Sequence, residues 1–188
     1  MKSFTRLYSR LDETTKTKNK VEALVSYFES AEPLDAAWAI YFLSGRKSIP
    51  ELKRVVKSSL LRSWAASAAG LSDWMFEECY DTVGDLAETI ALVLPESGLV
   101  IEEPLHLVVE KRLLSLKELE EDAQRLSVLE TWSQMDARQR FIYNKLLTGA
   151  FRVGVSQKLV TRAIAAVSGL ESNVIAHRLM GTWRPTAE

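Results

Sequence analysis

Apolar residues recur along this chain mostly at three- and four-residue steps, the spacing that gathers side chains on one face of a helix. Phe4, Leu7, Tyr8 and Leu11 form one such stripe, and Val21, Leu24, Val25 and Phe28 form another. The segment from Asp12 to Lys20, with Lys16, Lys18 and Lys20, reads as a polar turn between them. Pro33 and Asp35 open a helix carrying Trp38, Tyr41 and Phe42, which Gly45 ends. Further helices are predicted with Leu52, Val55 and Val56; with Leu60, Leu61, Trp64, Ala65 and Ala68; with Trp74, Met75 and Cys79 after a Ser72 cap; and from Asp85 to Leu94. Leu105, Val108, Val109 and Leu113 mark another, after a Leu99-Val100-Ile101 piece that could be extended. A long helix follows with Leu119, Ala123, Leu126 and Leu129, then one from Asp136 to Gly149, one with Leu159, Val160, Ala163, Ile164 and Val167 inward, and a last around Val174 to Met180. Strand alternation is nearly absent, so the predicted fold is all-α, a compact multi-helix domain.

Polar residues sharpen the helix starts. Ser48 with Glu51 and Ser115 with Glu118 match capping boxes, and Asp136 with Gln139 opens the helix that Gly149 stops. The break Leu94-Pro95-Glu96-Ser97-Gly98 divides one domain, residues 1–181, into halves of roughly 1–95 and 99–181. Residues 182–188 read as an exit linker. Both halves contain the same device: Phe42-Leu43-Ser44-Gly45 before Arg46-Lys47-Ser48, and Leu146-Leu147-Thr148-Gly149 before Ala150-Phe151-Arg152-Val153-Gly154-Val155-Ser156. Each is a helix stop, a basic loop and a helix start. A helix start leaves N–H groups unpaired and carries partial positive charge, which suits a phosphate. Two pseudo-symmetric halves follow, rather than a many-copy solenoid.

At 188 residues and 47% hydrophobic content the chain can bury a full core. No apolar run is long enough to span a bilayer and none resembles a signal peptide, so a cytosolic location is expected, with no membrane partner. A single Cys79 excludes an internal disulfide. The net charge of −1 hides a sorted distribution. Between Asp35 and Asp73 the only acid is Glu51, against Arg46, Lys47, Lys53, Arg54, Lys57 and Arg62. Between Asp136 and Glu171 there is none, against Arg138, Arg140, Lys145, Arg152, Lys158 and Arg162. Both stretches hold a repeated loop, which points to a basic face for nucleic acid.

Catalytic chemistry has no visible home. His106 and His177 are isolated, no Walker loop occurs, and paired acids such as Glu77-Glu78 point apart on a helix. The loop from Gly149 to Ser156 is the better site: its glycines admit a close ligand, Arg152 supplies charge between them, and Ser156 can cap the next helix. Phe151 is the one aromatic placed at the interface, or else it anchors the loop. Such contacts hold a backbone without reading bases, so binding is expected to be salt-sensitive and indifferent to sequence.

Three segments then carry a resemblance: Trp38 to Arg46, Phe76 to Ala91, and Lys145-Leu-Leu-Thr-Gly-Ala-Phe-Arg-Val-Gly-Val-Ser-Gln157. Together they resemble the N-terminal DNA-binding domain of ATP-dependent DNA ligases, nearest the bacterial branch. The resemblance implies a helical, pseudo-twofold domain that holds nicked duplex DNA through its backbone and serves repair, replication or recombination in association with the bacterial nucleoid. By position it implies phosphate contacts from Gly45, Arg46 and Lys47 and from Gly149, Ala150, Phe151, Arg152, Gly154, Ser156 and Lys158. The adenylation motif Lys-x-Asp-Gly does not occur in the sequence. Sealing, with its ATP and magnesium, is therefore expected of separate nucleotidyltransferase and OB-fold domains. The chain itself is expected to be an inactive, cofactor-free monomeric module. The rival reading is a helical protein-interaction domain.

Overall fold

The computed structural model describes residues 1–45, 55–181 and 183–185. Among them every regular element is helical and no strand occurs, which makes the fold all-α as expected. In chain order the helices are α1 (Lys2–Asp12), α2 (Thr17–Ser30), α3 (Pro33–Leu43), α4 (Ser58–Ala68), α5 (Asp73–Val83), α6 (Leu86–Val93), α7 (Leu105–Leu107), α8 (Glu121–Ser133), α9 (Ala137–Thr148), α10 (Gln157–Ser168) and α11 (Ser172–Met180). No described helix is long and apolar enough to cross a membrane.

The chain forms two compact units. Unit I is Met1–Lys2, Glu51–Glu103 and Leu107–Ala150; unit II is Ser3–Pro50, Pro104–His106 and Phe151–Glu188. These differ from sequential halves meeting at the Pro95 break, because each unit draws on both halves of the sequence.

Unit II buries Phe4, Leu7, Tyr8 and Leu11 of α1, the predicted stripe. Helix α2 is rotated from expectation. It begins at Thr17, so Lys20 is helical rather than part of a turn, and its inward face is Lys20, Ala23, Leu24 and Tyr27. Val21, Val25 and Phe28 flank that face, half-buried. Helix α2 packs on α10, and Ala23 and Ala163 are both buried. Asp35, in the first turn of α3, accepts hydrogen bonds from the amides of Leu105 at 3.0 Å and His106 at 2.9 Å. Of the expected linker, Trp183 sets its ring edge-on to Tyr41 at 6.2 Å and Pro185 is buried.

Unit I packs α6 on α9 and α4 on α5, α6 and α8. The chain following α7 stays helical but changes pitch. It widens into a π-helical stretch over Val108–Leu113 and tightens into a 3₁₀ turn over Leu114–Glu118, with Val108, Val109, Leu113 and Leu116 all buried. That turn absorbs Ser115 and Glu118, so the capping box expected there does not form. Ser115 instead donates its hydroxyl to the Lys111 carbonyl at 2.5 Å, and Glu120 precedes α8.

Asp136 does cap α9, accepting from the Gln139 amide at 2.7 Å. The Gln139 side chain turns away to Ile101, accepting from its N–H at 2.7 Å and donating to its carbonyl at 2.9 Å. Several apolar residues that helical spacing singles out are exposed, among them Trp74 (67%), Leu126 (69%) and, on α10 of unit II, Val167 (38%), which was expected inward. Val55 and Val56, assigned to a helix by their spacing, are buried outside any helix, and the Val55 amide donates to the Leu147 carbonyl at 3.1 Å.

Asp85 ties α6 to α9. Its carboxylate accepts from the Glu88 amide at 3.1 Å and pairs with Lys145. Burial alone would raise its pKa; hydrogen bonds from Lys145 and the backbone, with the Lys145 charge, outweigh that and hold it below the usual 3.8. A depressed carboxyl stabilises the fold above its unfolded pKa and loses that contribution as pH falls through the folded one. Asp85→Asn keeps a capping residue but loses the charge, so it should lower stability at pH 7 by about 0.5–1 kcal/mol. In urea titrations the gap to the unsubstituted chain should close as the pH drops below the usual value of 3.8. A gap unchanged down to pH 2 would mean the charge contributes nothing.

Candidate nucleic-acid interface

The second of the twin loops begins where α9 ends. Gly149 takes a left-handed conformation (φ +67°), its N–H donates to the Leu146 carbonyl at 3.2 Å, and the Ala150 N–H donates to Lys145 at 3.1 Å. These bonds satisfy carbonyls that the helix end would otherwise leave open. The backbone donors of Gly149 and Ala150 are therefore already used, and both residues belong to unit I. Gly45 ends α3 similarly, at φ +66° with its N–H on the Phe42 carbonyl at 3.2 Å. Arg46, Lys47 and the Ser48-Glu51 capping box lie outside the described residues.

From Phe151 onward the loop belongs to unit II. The Phe151 ring, half-buried, packs on Phe4 at 5.7 Å, Tyr8 at 5.3 Å and Phe42 at 5.8 Å between centroids. Of the two uses open to it, the anchor is the one its contacts serve. Three successive carbonyls are then held by side chains of α1 and α2. The Tyr8 hydroxyl donates to Arg152 O at 3.1 Å, and the Lys20 ammonium donates to Val153 O at 3.3 Å and Gly154 O at 2.9 Å.

In a trans peptide the carbonyl and the following N–H point in opposite directions. Fixing those carbonyls toward Tyr8 and Lys20 therefore directs the amides of Val153, Gly154 and Val155 the other way. Successive N–H groups on one side of a turn form an anion-binding concavity. Gly154 is required here: its φ is +62°, and a Cβ would lie 2.9 Å from the Lys20 Nζ.

Helix α10 starts immediately after. Ser156 occupies its N-cap without a side-chain cap bond, contrary to the capping role expected for its hydroxyl, and no acid lies in the first turn. The Leu159 and Val160 amides reach the Ser156 carbonyl, at 2.9 and 3.3 Å. Those of Gln157 and Lys158 precede the intrahelical ladder. Lys158 and Arg162, both exposed, stand four residues apart on one side of the helix, and Arg152 is exposed ahead of them. Among the described residues none of the three pairs with an acid.

Other cations of the basic stretches have structural duties. Arg140 is 2% exposed, with Nε donating to Trp132 O at 2.8 Å and Nη1 to Leu94 O at 3.2 Å. Lys145 pairs with Asp85, and Arg62 with Glu77 at 2.8 Å. The second basic stretch thus reduces to Arg138 in unit I and to Arg152, Lys158 and Arg162 in unit II.

The sequence profile of the family described as DNA ligase N terminus matches residues 1–165, from the first residue into α10. The chain belongs to that family. No curated protein matches it. The matched span of this DNA ligase N-terminal domain includes the whole Gly149–Ser156 loop together with Tyr8 and Lys20, the two residues beneath it that sequence reasoning passed over. A signal for Lys20 was present: Lys20, Ala23, Leu24 and Tyr27 keep helical spacing as well as the purely apolar stripe does.

Gly154→Ala should destabilise the domain by about 1–2 kcal/mol from left-handed backbone strain, with a further loss from displacing Lys20. Gly169→Ala is the control, because Gly169 has φ +69° but nothing within 4 Å of an added Cβ. Chemical denaturation should show the larger loss for Gly154→Ala; equal losses would mean that the Lys20 contact adds nothing.

Proposed function

We propose that the domain binds duplex DNA, nicked in its working form, through the phosphate backbone and without regard to sequence. The observation that carries this reading is the unit II loop from Arg152 to Ser156. It sets the amides of Val153, Gly154 and Val155 opposite the held carbonyls of the same peptides, beside an uncapped helix start and three exposed cations without acidic partners among the described residues. A phosphate takes hydrogen bonds from N–H groups and charge from arginine, and presents the same chemistry at every base step. In this reading Arg152, Gly154, Ser156 and Lys158 meet phosphate, while Gly149, Ala150 and Phe151 shape and anchor the loop. Gly45, Arg46 and Lys47 supply a second contact.

Adenylation and sealing, with ATP and magnesium, we assign to nucleotidyltransferase and OB-fold domains outside this chain. The module then acts as a monomer that brings such domains to a nick, in DNA repair, replication or recombination within the cytoplasm. Family membership supports the ligase part of this reading, and the loop supports the backbone part.

Duplex titrations over a salt series test it. Log K should fall linearly with log salt by about 0.9 for each phosphate neutralised. Arg152→Ala should weaken binding about tenfold at low salt and flatten the slope by about one, with helix content unchanged. Arg125→Ala, at an exposed site on α8, should change either quantity little. Binding that ignores salt, or equal losses from the two substitutions, would sink the proposal.

A further inference from the structure

We infer that Lys20 is the positioning residue of the phosphate-binding loop, and that its charge is left for the ligand to balance. Resting on the duplex-binding reading, the inference adds to it a residue far from the loop in sequence.

Lys20 is 8% exposed, an unusual place for a lysine, whose flexible stem ordinarily carries the ammonium to water. Taking a charge out of water is costly unless hydrogen bonds compensate it. Here the compensation is the pair of carbonyls, Val153 O and Gly154 O, and no carboxylate pairs with Lys20 among the described residues. A neutral apolar residue could fill the same space between α2 and α10, yet it could not hold two successive carbonyls. Two consequences follow from the ammonium. It fixes the peptide planes that turn the Gly154 and Val155 amides outward, and it leaves a positive charge directly behind them. An anion seated on those amides is attracted through the peptide dipoles and completes the charge balance that the protein leaves open.

The two other groups that bear on the loop have different roles. Tyr8 holds the preceding carbonyl, and Phe151 fixes the loop's base by ring packing. Among the described residues, Lys20 is the side chain that donates to both Val153 O and Gly154 O.

The test compares Lys20→Met, Arg152→Ala and the double variant in titrations with nicked duplex across a salt series, together with backbone ¹⁵N relaxation of residues 152–156 in the DNA-free domain. Lys20→Met is expected to keep its helical circular dichroism, lose amide order in 152–156 and bind about tenfold more weakly, and Arg152→Ala is expected to add little in that background. Losses that simply multiply in the double variant, or a loop equally ordered in Lys20→Met, would overturn the inference while leaving duplex binding intact. If the unsubstituted domain fails to bind duplex, the functional reading falls, and the loop order then decides on Lys20 alone: lowered order sustains its positioning role, unchanged order removes it. Should Lys20→Met lose its helical signal, Lys20→Gln, which keeps a donor for one carbonyl, replaces it under the same criteria.

Discussion

A peptide unit cannot offer its oxygen and the next hydrogen to the same neighbour, and the loop between α9 and α10 is organised by that constraint. Once the hydroxyl of Tyr8 and the ammonium of Lys20 claim three carbonyls in a row, the direction of the amides is no longer free. The rest of the local structure serves this arrangement. Helix α2 packs on α10, so that a lysine on α2 comes within reach of the loop preceding α10. The rings of Phe4, Tyr8 and Phe42 fix Phe151. Gly154 supplies the left-handed backbone conformation of the turn, close to the Lys20 ammonium.

Charge counted along a sequence and charge available on a surface differ here for a definite reason. Arginine and lysine cap carbonyls and pair with acids within the fold as readily as they meet phosphate. Arg140 spends its guanidinium on Trp132 and Leu94, and burial draws its pKa below the ordinary value. Lys145 is tied to Asp85. What remains in unit II is a short series, Arg152, Lys158 and Arg162, gathered at the start of one helix and along one side of it. A small group of cations set beside aligned amides holds a phosphate better than a larger number dispersed over the surface.

Most of the helices were legible from periodicity, and the glycine stops at Gly45 and Gly149 fell where the pattern put them. The errors share a cause. Spacing marks Val167 as inward, and singles out Trp74 and Leu126, yet all three are exposed, because a spacing rule scores an apolar residue without knowing whether another element covers it. Lys20 was placed in a turn because its charge outweighed its spacing, and only a carbonyl pair more than 130 residues away makes an inward lysine tolerable. The Ser115–Glu118 box failed for a related reason: the local motif was sound, but the buried π-helical and 3₁₀ path preceding α8 took those residues first. The candidate loop was legible as chemistry, in its glycines and its arginine. What lies beneath it was not, since no local rule connects residue 20 to residue 154.

That separation has a bearing on how the domain comes into being. Tyr8 meets Arg152 across 144 positions and Lys20 meets Gly154 across 134, whereas most of unit I lies in the stretch between. During synthesis α1 to α3 emerge first and wait, with the inward face of α2 uncovered, until α10 has been made. Closing so long a loop is entropically costly and slow, and it leaves apolar surface open in the interval. The loop between α9 and α10 thus takes shape late, because its supports at Tyr8 and Lys20 wait for residues more than 130 positions further along the chain.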